Sequence, residues 1–573
     1  MSVPESNYFS CRKLLYSLFF VLLIIFSVNL RAQTTKYEGM VVSADSIATE
    51  VGVQILKEGG NAVDAAVAVG FALAVTYPVA GNIGGGGFMV LRTASGEEIT
   101  IDYREKAPAA ATRDMYLDEQ GEVNHELATE GILSAGVPGS VYGMLEMLKK
   151  YGTMPREKVI APAIKLAREG FALPVSTAHS FEKYYETFLK YPSTSAIFTK
   201  DGELFQPGDI FKQTDLANTL ERISKFGIEG FYEGETADLI VKQMQTSSSG
   251  IITKEDLAGY RAIERKPVIG NYRGYKIISM APPSSGGVAL IEMLNILENH
   301  DLKSYGHNSP EYIRILAETM RRAYADRSKY LGDPDFYDIP VEELTSKEYG
   351  KQLFNEIGDR VTPSEEVEPG LTNFFESSET THYSILDSSG NAVSVTTTIN
   401  SGYGSKVVVK GAGFFLNNEM DDFSAKPGVP NQFGLLGNEA NSIQPGKRML
   451  SSMTPTIVLK DGKPFLIVGT PGGSTIITSV LQVILNAIDF DMDVERAVNT
   501  PFIHHQWYPE VISVETGAIT EETAEKLIEM GYHLTDIEFL GLMEAIRIDP
   551  ATGKVTGASD RAGAGLAKGV SEK

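Results

Sequence analysis

Thr380 and Thr381 stand where a polar, acidic run gives way to a strand-like one. Val361 to Glu379 carries Pro363, Pro369 and Gly370 and shows little periodicity. Tyr383 to Leu386, the turn Asp387-Ser388-Ser389-Gly390-Asn391 and Ala392 to Ile399 then follow, which is the pattern of a β-hairpin. Scission of the 379–380 bond would place a hydroxyl and a free α-amine together on Thr380. Such an amine has an ordinary pKa of about 7.7–8.0, suited to a general base near neutral pH. The local pattern does not choose between the two threonines. A linker followed by an ordinary hairpin fits the same residues.

Other residue types here suit the handling of an amino-acid head group. Asn417-Asn418-Glu419-Met420-Asp421-Asp422 packs three carboxylates into a short run. It fits a solvated loop, or a pair of carboxylates that holds a substrate ammonium. A calcium loop is disfavoured, because the spacing and glycine of an EF-hand are absent. Arg104, at the end of a strand pattern, can grip a carboxylate together with Ser451 and Ser452. Gly472 and Gly473 precede an apolar helix pattern and offer two backbone N–H groups to an oxyanion. If these groups meet in space, they form an amino-acid-recognising acyl-transfer site.

Rival chemistries fail on spacing. None of the eight histidines forms a zinc-type helical pair, and adjacent His504 and His505 would point to opposite faces of a strand. No metal site and no cofactor are expected. His382 shares a strand face with Thr380 and reads as structural rather than as a base. The glycine-rich loop Gly81 to Phe88 enters a strand and lacks a following Gly-Lys-Ser/Thr, so close backbone packing is favoured over phosphate binding. Gly139-Ser140 lacks the spacing of a nucleophile elbow.

These residues need a scaffold, and the patterning supplies one. Ser43 to Lys57 is amphipathic, whereas Asn61 to Val75 is apolar all round, as in a buried helix. Ile99 to Tyr103 reads as a strand, Ser140 to Lys149 as a helix, and 155–262 as mostly helical, with a capping box at Thr253 and Asp256. A hairpin spans 267–280. Pro282-Pro283-Ser284-Ser285-Gly286-Gly287 then leads into a helix, with the two serines as turn and cap residues. Gly332 to Glu379 is the best internal boundary. A second hairpin turns at Asp461-Gly462, and Ile476 to Phe490 is an apolar helix. Strands flanked by helices give an α+β layered fold.

The bulk numbers exclude several classes. A net charge of −23 over 573 residues disfavours nucleic acid and anionic lipid as partners. Cys11 is the single cysteine, so no disulfide forms within the chain. Length suggests two to four domains. Residues 1–32 look like an export signal: Arg12 and Lys13 precede the apolar run Leu14 to Val28. The expected location is therefore periplasmic or extracellular, with an uncleaved membrane anchor as the alternative.

Several motifs resemble the γ-glutamyltranspeptidase (glutathione hydrolase) family. They are Thr380-Thr-His-Tyr-Ser384, Asn417 to Gly428, Leu450-Ser-Ser-Met-Thr-Pro455, Pro471-Gly-Gly-Ser474, Ile101 to Glu105, Gly136-Val-Pro-Gly139 and His504-His-Gln-Trp507. The resemblance implies a four-layer αββα sandwich of the N-terminal nucleophile hydrolase type. It implies a precursor that cuts itself between Glu379 and Thr380 into a large subunit, 33–379, and a small subunit, 380–573, held together as a heterodimer. Thr380 would be the nucleophile, Thr398 its hydrogen-bond partner, and Gly472 and Gly473 the oxyanion hole. Arg104, Ser451 and Ser452 would hold the α-carboxylate of a γ-glutamyl group; Asn400, Glu419 and Asp422 would hold its amine. Substrates would be glutathione and other γ-glutamyl compounds, with water, amino acids or peptides as acceptors. Related acylase, poly-γ-glutamate-processing and non-catalytic binding roles are the alternatives. Residues 427–438 match a lid loop in which a tyrosine is common, but Phe433 stands there.

Overall fold

The computed structural model describes residues 37–367 and 380–571. The expected export signal, Cys11 and Glu379 lie outside the described residues.

Two antiparallel sheets form the centre. Their strands, numbered along the chain, are β1 (Met40–Ser43), β2 (Gly86–Arg92), β3 (Glu98–Asp102), β4 (Ile263–Arg265), β5 (Val268–Tyr272), β6 (Tyr275–Ser279), β7 (Thr380–Leu386), β8 (Ala392–Thr398), β9 (Thr456–Lys460), β10 (Lys463–Gly469), β11 (Glu544–Ile548), β12 (Val555–Ser559) and β13 (Leu566–Gly569). The seven-stranded sheet runs β13-β1-β7-β8-β2-β3-β4, and the six-stranded sheet β12-β11-β10-β9-β6-β5. Helices α1 (Ser46–Lys57), α2 (Ala62–Thr76) and α3 (Ser140–Tyr151) share a core with the first sheet. Helices α4 (Gly286–Leu297), α5 (Pro310–Tyr330) and α6 (Ile476–Ile488) share one with the second. This is the αββα order.

The strand period builds the layers. Val41, Met89, Tyr383, Ile385, Val393 and Val395 face the helices of the first layer. Their neighbours Val42, Val90, Leu386 and Ala392 face the other sheet, where they meet Ile278, Ile457, Ile467 and Ile546. Every residue of α2 is buried, as its all-round apolar pattern requires. It starts on a capping box of Asn61 and Asp64 and packs on β7 and β8.

The boundary expected at 332–379 does not divide the fold. Tyr37–Lys573 is one compact unit, not two to four domains. The reason is topological: β7 lies between β1 and β8, so strands from both sides of the expected cut are hydrogen-bonded in one sheet. Among the described residues, no helix is long and apolar enough to cross a membrane.

Candidate active site

Thr380 opens β7 and Thr398 closes β8, and the register sets them opposite each other. The Thr380 hydroxyl donates to Thr398 Oγ1 at 3.4 Å. Thr398 Oγ1 also accepts the N–H of Asn400 at 2.8 Å. Thr381 points the other way, toward the helix layer, and its buried hydroxyl has no hydrogen-bond partner. The pleat thus separates the two threonines that local sequence reading could not.

The glycine-rich loop before β2 holds this pair in place. A Cβ at Gly85 would lie 2.1 Å from the Thr398 carbonyl, so only glycine permits the approach. Asn82 Nδ2 donates to that same carbonyl at 2.9 Å, and Asn82 Oδ1 accepts the Gly85 N–H at 2.9 Å. The loop packs backbone on backbone, as its context predicts.

Arg104 follows β3 and is fully buried. Its Nη1 donates to Glu419 and its Nη2 to Asp422. Nε donates to the Met449 carbonyl at 3.2 Å, which keeps the guanidinium beside the Ser451-Ser452 segment. The acidic run is no solvated loop. Glu419 to Asp422 form a short 3₁₀ turn, with Glu419 and Asp421 buried. Asn417 anchors it: Nδ2 donates to the carbonyls of Gly84 and Gly136, and Oδ1 accepts the Gly136 N–H at 2.8 Å. The Gly136-Val-Pro-Gly139 motif therefore serves to fix the carboxylates.

These contacts set the charges. Burial opposes the Arg104 charge, but Glu419, Asp422 and Glu105 outweigh it and hold its pKa above the ordinary value. Burial raises Glu419 and Asp422 against the pull of Arg104. It also pushes Asp421 up to about 7, helped by neighbouring Asp422.

One cavity is lined by Arg104, Thr380, Thr398, Asn400, Glu419, Asp422, Ser451, Ser452 and Gly473. Gly472 is buried just behind this lining. Gly472 and Gly473 have φ of 143° and 56°, values that glycine adopts without strain, and a 3₁₀ turn leads from them into α6. Phe433, Leu435, Met453 and Ile476 supply the apolar part of the wall. The segment around Phe433 is tied down without a tyrosine hydroxyl. Asn431 Nδ2 donates to Asp422 Oδ1 at 3.0 Å, the Gln432 N–H to Asp421 Oδ2 at 3.1 Å, and Gln506 Nε2 to the Phe433 carbonyl at 3.2 Å.

Sequence reading missed Arg327, whose Nη2 donates to Ser452 Oγ at 3.2 Å. It also gave no role to Glu105, buried 3.6 Å from Arg104. The signal for Arg327 lay in α5, where the charges recur too often for one solvent face: Arg314, Glu318, Arg321, Arg322 and Arg327 are all buried. Among the described residues no group of three His, Cys, Asp or Glu side chains is placed to hold a metal ion.

His382 is buried between the sheets and does not reach the cavity wall. Its Nδ1 meets Thr396 Oγ1 at 2.9 Å and its Nε2 meets Ser384 Oγ at 3.1 Å. Burial lowers its pKa to about 3. An unfolded chain takes up this proton near pH 6.5, so the stability His382 contributes is present above about pH 6.5 and is lost as pH falls toward 3. We expect the thermal midpoint of His382→Gln to fall less than the parent's between about pH 7 and about pH 4. Parallel curves would reject the assignment of a buried neutral imidazole.

Comparison with known proteins places the chain in a family. The sequence profile of the family described as Gamma-glutamyltranspeptidase matches residues 48–570. A glutathione hydrolase proenzyme of Escherichia coli (strain K12) is 50% identical over 525 residues, 91% of this chain and 90% of that one. The crystal structure of Helicobacter pylori gamma-glutamyltranspeptidase is 52% identical and superposes with a TM-score of 0.57, over 59% of this chain and 97% of that chain. That of cephalosporin acylase from Bacillus halodurans is 29% identical with a TM-score of 0.84, over 93% and 96%. With the family profile matched over nearly the whole described length and a curated relative 50% identical over 91% of the chain, this chain belongs to the gamma-glutamyltranspeptidase family.

Proposed function

We propose that this protein is a γ-glutamyltransferase and glutathione hydrolase that uses Thr380 as an N-terminal nucleophile. The observation that carries the reading is the cavity itself. It sets a threonine hydroxyl pair beside one guanidinium, two serine hydroxyls and two carboxylates. A γ-glutamyl group ends in an α-carboxylate and an α-ammonium, and needs both signs at fixed distance.

In this reading the substrate exchanges ion pairs with the site. Its carboxylate takes Arg104, Ser451 and Ser452. Its ammonium takes Asn400 together with Glu419 and Asp422, the two carboxylates that Arg104 otherwise pairs with. The α-amine of Thr380 accepts the hydroxyl proton, and Oγ1 attacks the γ-carbonyl carbon. The N–H groups of Gly472 and Gly473 receive the oxyanion. The C–N bond breaks, the amine leaves with the proton, and a γ-glutamyl ester remains on Thr380. Water or an amino acid or peptide amine then releases the acyl group and restores the hydroxyl. The nucleophile arises by scission at Glu379–Thr380, which leaves the 33–379 and 380–573 subunits as a heterodimer. The 1–32 segment supports export to the periplasm or the exterior, with retention by an uncleaved anchor as the other arrangement.

The test is a pair of anilides. A glutaryl anilide keeps the carboxylate but lacks the amine. We expect γ-glutamyl anilide to be favoured in kcat/KM by about 100-fold or more, because glutaryl leaves Glu419 and Asp422 without their partner. A preference for glutaryl would reject the ammonium assignment and favour an acylase.

A further inference from the structure

Arg327 projects from α5 and is buried, at 4% exposed. It makes no ion pair with a carboxylate among the described residues. Its Nε donates to Ser285 Oγ at 3.0 Å and its Nη2 to Ser452 Oγ at 3.2 Å. Ser285 belongs to the Pro282 to Gly287 loop, which Arg327 thus links to Ser452 in the cavity wall.

A bracing role does not require a cation. The loop is already bound to the serine segment by other contacts. Ser451 N donates to the Pro283 carbonyl at 2.9 Å, and Ser285 N to the Ser451 carbonyl at 2.8 Å. Ser285 Oγ donates to the Ser451 carbonyl at 2.7 Å, and Ser284 Oγ to the Met453 carbonyl at 2.6 Å. A guanidinium added to this framework carries a desolvation cost that serine contacts offset poorly. Burial lowers its pKa, Tyr324 and Asp422 act against that, and the nearby charge of Arg104 adds to it.

The serine hydroxyls show what the charge is for. A hydroxyl has one proton to give and two lone pairs to offer. Ser451 Oγ accepts the Met453 N–H at 3.1 Å, and Ser452 Oγ accepts from Arg327. Each oxygen is thus engaged as an acceptor by a fixed donor. Each proton is left for an incoming oxygen, and both serines line the cavity.

We infer that Arg327 is a positioning residue of the substrate-carboxylate subsite: held by Ser285, it turns the Ser452 hydroxyl proton toward the carboxylate and adds a second positive charge behind it. This rests on the γ-glutamyl reading above. Arg104 is the guanidinium at the cavity and has carboxylates of its own. Arg327 meets only hydroxyls directly, with Asp422 acting on it from farther away, so its donors are spent on the serines that face the cavity.

A 4-aminobutyryl anilide tests this, because it is the γ-glutamyl anilide without its α-carboxylate. For Arg327→Gln in processed enzyme we expect KM for γ-glutamyl anilide to rise by about 10- to 100-fold with kcat nearly kept. Turnover of 4-aminobutyryl anilide, followed with enzyme in excess, should change by less than about threefold. Arg327→Lys should fall between parent and Gln, since an ammonium lacks the fork that spans both serines. Ser285→Ala should move the same parameters in the same direction, and it carries the test if Arg327→Gln fails to fold. Equal losses on both anilides, or no loss on either, would overturn the assignment. If the parent enzyme turns over both anilides alike, the γ-glutamyl reading itself fails.

Discussion

Replacing Thr380 by alanine is expected to yield one uncut chain with activity lower by on the order of 10⁴- to 10⁶-fold, the loss typical of a deleted nucleophile. The change removes the hydroxyl that meets Thr398 Oγ1 at 3.4 Å. It removes little else. Thr380 sits at the end of β7, and the β1–β7–β8 ladder depends on backbone groups that alanine keeps. The variant should therefore fold, so a missing cut reports chemistry. Thr381→Ala is the matched control: its hydroxyl lies on the far face of β7 without a hydrogen-bond partner, so cutting and turnover should persist. Thr380→Ser keeps a hydroxyl at the same place and should retain both at a reduced rate. A denaturing gel with intact masses and a rate measurement read all three. Normal scission in Thr380→Ala would reject Thr380 as the nucleophile.

The parts of this fold set by local pattern could be read from the residues in hand. The β7–β8 hairpin follows from its turn, α2 from its unbroken apolar face, and the capping box of Thr253 and Asp256 from its spacing. What escaped local reading depends on contacts far apart in the chain. Acidic Asn417 to Asp422 resembles a solvated loop until Asn417 ties it to Gly84 and Gly136. A composition shift at 332–379 resembles a domain boundary, yet the sheet crosses it, because composition says nothing of which strands pair. Arg327 is one charge among many on a long helix, and only burial against Ser285 and Ser452 marks it out. Arg104, the acidic run, Ser451, Ser452, Gly472 and Gly473 were legible as residue types, whereas Thr398, Asn400 and the choice among the threonines and carboxylates came from the family resemblance. The physical reading supplied reasons for their types but not their meeting place.

Arg104→Gln is expected to separate the two tasks of the guanidinium, and the separation depends on pH. In the parent, Arg104 is ion-paired with both Glu419 and Asp422, whose side chains are 1% and 11% exposed. Without it, two buried carboxylates lose their counter-ion, a defect worth about 3–5 kcal/mol when both stay charged. They can escape that cost by holding their protons. Burial already raises both groups, with Arg104 acting against it, so their folded pKa values should rise further in the variant. A carboxyl whose folded pKa lies above its unfolded value favours the folded state at low pH and loses that contribution as pH rises through the gap. The thermal midpoint of Arg104→Gln should thus lie close to the parent's near pH 5 and well below it near pH 8. This is opposite in sign to the His382 effect. Activity on γ-glutamyl anilide should fall by about 1,000-fold at either pH, because the α-carboxylate loses its two-armed partner. Arg104→Lys tells charge from geometry. A lysine restores much of the midpoint near pH 8, but it gives no fork for two carboxylates or for the substrate, so turnover should stay low. A midpoint lowered equally at both pH values would mean that Glu419 and Asp422 do not depend on Arg104 for their charge. The ion-pair exchange proposed for substrate entry would then fall with it.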